Sequence, residues 1–180
     1  MIDPNKWLDT LTRPILVVGN GVLVTPVPEQ EYGSVVRFNN YALGGLSGNR
    51  ITHWVVNGFR DIEPKPLPFV LVPWTYALAQ KRDQYVEVFI RRMESQVIYL
   101  QDDRHVRIWF PGASVSGKHF PTTGFCFLAW LKENQFKFDI IGFDGMRTGH
   151  QGNAEHKHGH LHTRDKEKNI LQAWRINRRL

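Results

Sequence analysis

Only one cysteine, Cys126, occurs among the 180 residues, so no disulfide can form within the chain. Cys126 lies in an apolar run and reads as a small core residue. Long apolar runs are missing too: none approaches the roughly 18 residues of a membrane-spanning helix. The opening MIDPNKWLDT lacks the basic-then-apolar order of a secretory leader. There is no internal repeat, no helix-turn-helix cue and no ladder of aromatic and basic residues, so no nucleic-acid partner is expected. The expectation is one soluble domain over residues 1–180, cytoplasmic or peripheral at the inner membrane.

What is present is ordinary globular material. Hydrophobic residues make up 42% and charged residues 22%, and a chain of this length buries a core without staples. The net charge of +6 and pI near 9.6 suit an anionic partner. Arg175, Arg178 and Arg179 crowd the end, as a solvated tail or as a weak attachment to an anionic membrane surface.

Apolar runs and turn residues set the element order. Ile15 to Val18, Ser34 to Phe38, Thr52 to Val56, Phe69 to Val72, Val97 to Leu100, Val106 to Phe110 and Phe138 to Ile141 read as strands. Lys6 to Leu11, Thr75 to Met93, Thr122 to Glu133 and Arg164 to Arg175 read as helices, the first with Asp3 as its cap. Strands alternating with helices predict an α/β domain with a mainly parallel twisted sheet flanked by helices.

Three candidate sites follow strands: Gly19-Asn20-Gly21, Arg37-Phe38-Asn39 and Gly142-Phe143-Asp144. Ligands of open α/β sheets bind at the carboxyl ends of the strands, and glycines there allow close backbone approach. Asparagine offers donor and acceptor together, for a base or sugar edge. Arg37 is a phosphate partner or a salt bridge pinning the sheet. Pro121-Thr122-Thr123-Gly124 opens a helix, either as an anion site or as a plain cap. Five of the eight histidines lie between His150 and His162. Alternation of His156, His158, His160 and His162 could hold zinc, but no cysteines accompany them, and no metal is expected. One or two of them suffice as general base or phosphate partner.

In this order the chain resembles the sialyltransferases of glycosyltransferase family 29. The large motif is matched by Val17-Val18-Gly19-Asn20-Gly21, Gly33-Ser34-Val35-Val36-Arg37-Phe38-Asn39 and Ile51-Thr52-His53. The small motif is matched by Pro121-Thr122-Thr123-Gly124 and Ile141-Gly142-Phe143, and the His-x4-Glu motif by His162 and Glu167. The third motif, an aromatic-flanked histidine, is matched loosely by His150 without the family's tyrosines, so His156, His158 or His160 is an alternative. The chain is short for the family, and a lone cysteine rules out the disulfide of its animal members, in keeping with a bacterial or viral member.

The resemblance implies a single Rossmann-like domain of the sialyltransferase type. It implies an inverting, metal-independent enzyme without a cofactor, moving sialic acid or a related 2-keto acid sugar such as Kdo from a CMP-sugar to a glycan or glycolipid acceptor. Asn20 and Asn39 would hold the nucleotide, with Gly19, Gly21, Arg37, Gly142 and Phe143 around it. Thr122, Thr123 and Gly124 would hold the donor. His162 would be the base, His150 or a neighbour the phosphate partner, and Glu167 an orienting residue or a helix-terminus stabiliser. A catalytically degenerate binder of nucleotide or glycan is the alternative, and a nucleic-acid-binding module is the last.

Overall fold

The computed structural model describes residues 4–56, 69–72, 96–99, 104–109, 121–143 and 164–174. Six strands form one sheet: β1 (Ile15–Val18), β2 (Ser34–Phe38), β3 (His53–Val55), β4 (Phe69–Val72), β5 (Gln96–Tyr99) and β6 (Asp139–Ile141). Their order across the sheet is β5-β4-β3-β2-β1-β6, and every pairing is parallel. The described helices are α1 (Pro4–Leu8), α2 (Arg104–Trp109), α3 (Thr123–Glu133) and α4 (Arg164–Ala173). None of them is long and apolar enough to cross a membrane.

The unbroken apolar runs have their physical reason in this sheet. Every residue of β1 and β2 is buried, because both faces are covered. Ile15, Val17, Val36, Phe38, Val55 and Ile140 face a core built with Trp7, Phe127 and Leu131. Leu16, Val18, Val35 and Ile141 face the other way, against Leu23, Val27 and Tyr32. That second cover comes from the β1–β2 crossover, which has no α-helix, only a short 3-10 turn at Glu29–Glu31. The expected flanking helices therefore appear on one face near β1, and an irregular segment does their work on the other.

One expected element is of another kind. Val106 to Phe110 read as a strand, but Arg104–Trp109 is the helix α2. Val106 is fully buried while Ile108 is 57% exposed, so the alternating pair does not share a face. Tertiary packing decides it: Trp109 meets Trp174 edge-on with ring centroids 4.9 Å apart and donates from Nε1 to Glu133 at 3.0 Å. Short apolar runs are ambiguous between the two periods, and a docked helix wins here. Thr75 to Met93 lies outside the described residues.

The strand order places the candidate site. β2 to β5 step away from β1 on one side, and β6 then returns to its other side. Ligands of open parallel sheets bind where the winding reverses, at the carboxyl ends of the two strands concerned. Here these ends are Gly19-Asn20 after β1 and Gly142-Phe143 after β6.

Candidate functional site

Gly19 is glycine because two backbones cross. Its N–H donates to Ile141 O at 2.8 Å, and the N–H of Gly21 to Gly142 O at 3.0 Å. A Cβ on Gly19 would collide with the Gly142 carbonyl, and Gly142 holds φ +72, a left-handed conformation. The ligand approach expected of these glycines is thus matched by a demand internal to the fold.

Asn20 follows, half-buried, and its Nδ2 donates to Phe38 O at 3.1 Å, which fastens the end of β1 to the end of β2. Its Oδ1 and second amide hydrogen have no partner among the described residues. Asn39 is next to that carbonyl and takes φ 44, a conformation in which asparagine is enriched. Its N–H donates to Val55 O at 2.9 Å and its carbonyl accepts from Trp54 Nε1 at 2.8 Å. The two asparagines therefore stand at neighbouring strand ends.

Phe143 closes the third side. Its ring meets Phe38 edge-on at 5.9 Å, and a Cβ built on Gly124 would come within 2.9 Å of its Cε1. The ring thus sits between the β1 exit and the start of α3. At that start Thr122 is the N-cap, its Oγ1 accepting from Phe125 N at 3.1 Å, and its carbonyl accepts from Cys126 N at 2.9 Å. The N–H groups of Thr123 and Gly124 have no partner among the described residues. These two amides belong to the first turn of an 11-residue helix, beside the Phe143 ring, and the Glu167 carboxylate shares that helix start.

Glu167, on α4, is buried and grips that cap. Thr122 N donates to its Oε1 and Thr122 Oγ1 to its Oε2, both at 2.8 Å. Of the two roles expected for Glu167, the structure gives it a helix N-terminus, but that of α3 rather than of its own helix. The same carboxylate and deep burial push the Cys126 thiol upward, burial first, in keeping with an inert core thiol.

Neither a family model, nor a curated protein, nor a solved structure matches the chain.

Arg37 takes the salt-bridge role of its two expected ones. It is 1% exposed and turned to the face opposite the helices, beside Val35. Nε donates to Arg50 O at 2.9 Å, Nη2 donates to Ser47 O, and Glu29 lies 3.6 Å away. Burial lowers its pKa, and Glu29 opposes that shift.

His53 is a core residue at the other end of its strand. Its Nδ1 lies 2.7 Å from Thr52 Oγ1 and its Nε2 3.1 Å from Thr10 Oγ1. Thr10 Oγ1 donates to Trp7 O, and Thr52 Oγ1 accepts from Val35 N and lies 3.1 Å from Val35 O, so both ring nitrogens meet hydroxyls that are themselves held by backbone. Burial pushes its pKa down to about 4, partly offset by Thr10.

No group of three or more His, Cys, Asp or Glu that could hold a metal occurs among the described residues. His150, His162, Asp144 and the alternating histidines lie outside the described residues. Sequence reasoning missed Glu29, whose carboxylate meets Arg37 and the N–H groups of Asn49 and Arg50; a lone glutamate after Pro28 carries no local signal.

Proposed function

We propose that the chain is an inverting, sialyltransferase-like glycosyltransferase on a Rossmann-like domain. It moves sialic acid or a related 2-keto acid sugar from a CMP-sugar to a glycan or glycolipid acceptor. The observation that carries this reading is the pair of N–H groups at Thr123 and Gly124, without a partner among the described residues, across Phe143 from the Asn20 side-chain amide. A phosphate on the helix start and a nucleotide edge on Asn20 and Asn39 fit a sugar nucleotide lying across the winding reversal.

In this reading the α3 amides and the Thr123 hydroxyl take the charge that develops on the leaving phosphate. His162 removes the proton of the acceptor hydroxyl, and His150 or a neighbouring histidine donates to the departing phosphate. Glu167 fixes the cap of α3 and ties it to α4, whose first residue follows His162 by two positions in sequence. Gly19, Gly21, Gly142 and Phe143 shape the wall, and Arg37 acts from below it. The positive charge of the chain suits a carboxylated donor and a weak association with an anionic membrane surface.

The test is CMP release from a panel of CMP-sugars, with His162→Ala beside the parent chain. Turnover lost in a variant that melts normally supports the assigned base; unchanged turnover removes it. A non-catalytic binder is the second reading, favoured by the full internal engagement of Glu167. It predicts a CMP-dependent rise in melting temperature with no CMP-sugar turnover.

A further inference from the structure

The β2–β3 crossover, residues 39–52, begins with Asn39 at the carboxyl end of β2, and of its own it has only short-range backbone hydrogen bonds such as Gly44 N to Gly48 O at 2.8 Å. Its only regular piece is a 3-10 turn at Gly45–Ser47. Gly44, Gly45 and Gly48 all take positive φ, which costs backbone entropy on ordering. Leu43 and Leu46 are 48% and 44% exposed, so apolar burial does not fix the loop either.

A polar lattice does. Glu29 Oε1 accepts from Asn49 N at 3.0 Å and Oε2 from Arg50 N at 2.8 Å. The same carboxylate faces Arg37 at 3.6 Å, and Arg37 donates to the carbonyls of Ser47 and Arg50. Arg50 in turn donates to the carbonyls of Glu29, Tyr32 and Gly33. A Cβ on Gly48 would strike the Glu29 carboxylate, so the loop closes tightly around it. One buried acid thereby joins the β1–β2 crossover, β2 and the β2–β3 crossover.

We propose that Glu29 is a positioning residue for the crevice, acting through residues 39–50 to set the nucleotide-facing wall. Its effect on ligand rests on the CMP-sugar reading; its effect on the loop does not. Hydrogen exchange on the full chain separates the two. Glu29→Gln is expected to speed exchange across 39–50 while the amides of β1 and α3 stay protected, and to weaken CMP binding about tenfold, about 1.4 kcal/mol. Arg50→Met, which removes the guanidinium tying the same lattice to the β1–β2 crossover, should give the same pattern if Glu29→Gln fails to fold. Unaltered exchange at 39–50, or protection lost evenly over the sheet, overturns the proposal. So does unchanged CMP affinity when the parent chain binds CMP and the loop has loosened. A parent chain that does not bind CMP defeats the CMP-sugar reading instead, and the exchange pattern still decides the role of Glu29.

Discussion

Glu167 reaches 45 positions back along the chain to hold Thr122 by both carboxylate oxygens. One oxygen takes a backbone N–H and the other a hydroxyl, and that hydroxyl still caps α3 through Phe125. The tie joins two segments of the proposed donor site. Glu167→Ala should lower stability by about 2–3 kcal/mol, because two donors lose a charged acceptor. Thr122→Val should cost about 1–2 kcal/mol through the lost cap. Urea midpoints at constant slope measure both.

His53 makes stability depend on acid. Its folded pKa, about 4, lies below its ordinary 6.5, so between those values the unfolded chain binds the extra proton. The contribution is complete above pH 6.5 and is lost as pH falls toward 4, by about 3 kcal/mol in all. Below that range it falls no further. Denaturation curves from pH 7 to pH 4 should show this component in the parent chain and lose it in His53→Gln.

Gly19 and Gly142 should tolerate no side chain. Gly19→Ala meets a carbonyl and Gly142→Ala adds a strained φ, so each should cost more than about 2 kcal/mol. Gly124→Ala meets only the Phe143 ring, which can turn, and a helical alanine returns about 1 kcal/mol. That variant should fold with near-parent stability while its CMP affinity falls, because Phe143 moves into the crevice. Melting curves with and without CMP separate the three.

Arg37→Met leaves the Glu29 carboxylate beneath the sheet without its cation. The expected loss is about 3–5 kcal/mol, the scale for breaking a buried pair on one side. Equilibrium unfolding in urea measures it. A loss under 1 kcal/mol, on the scale of an exposed ion pair, would contradict the buried pairing.

Much of the fold was legible because β1 and β2 are buried on both faces. Ile15 to Val18 and Phe69 to Val72 are apolar runs with turn residues after them, and their bounds, like those of Ser34 to Phe38, agree with the observed strands. The α3 start was legible from Thr122, a good cap before an apolar helix. Val106 to Phe110 was not, since its alternation suits a strand and only Trp174 and Glu133 reveal the helix face.

The site divides in the same way. Sequence alone marked the candidate segments: asparagines and glycines at strand ends, a capped helix start, and Glu167 in a helix. Local propensity and burial act over a few residues, so a linear pattern records them. Tertiary structure alone decided what each group touches. Arg37 meets Glu29 beneath the sheet, Gly19 meets Gly142, Thr122 meets Glu167, and the winding reversal sets β1 beside β6. Those contacts join residues far apart in the chain, and their partners are chosen by strand order and packing, which no local pattern encodes.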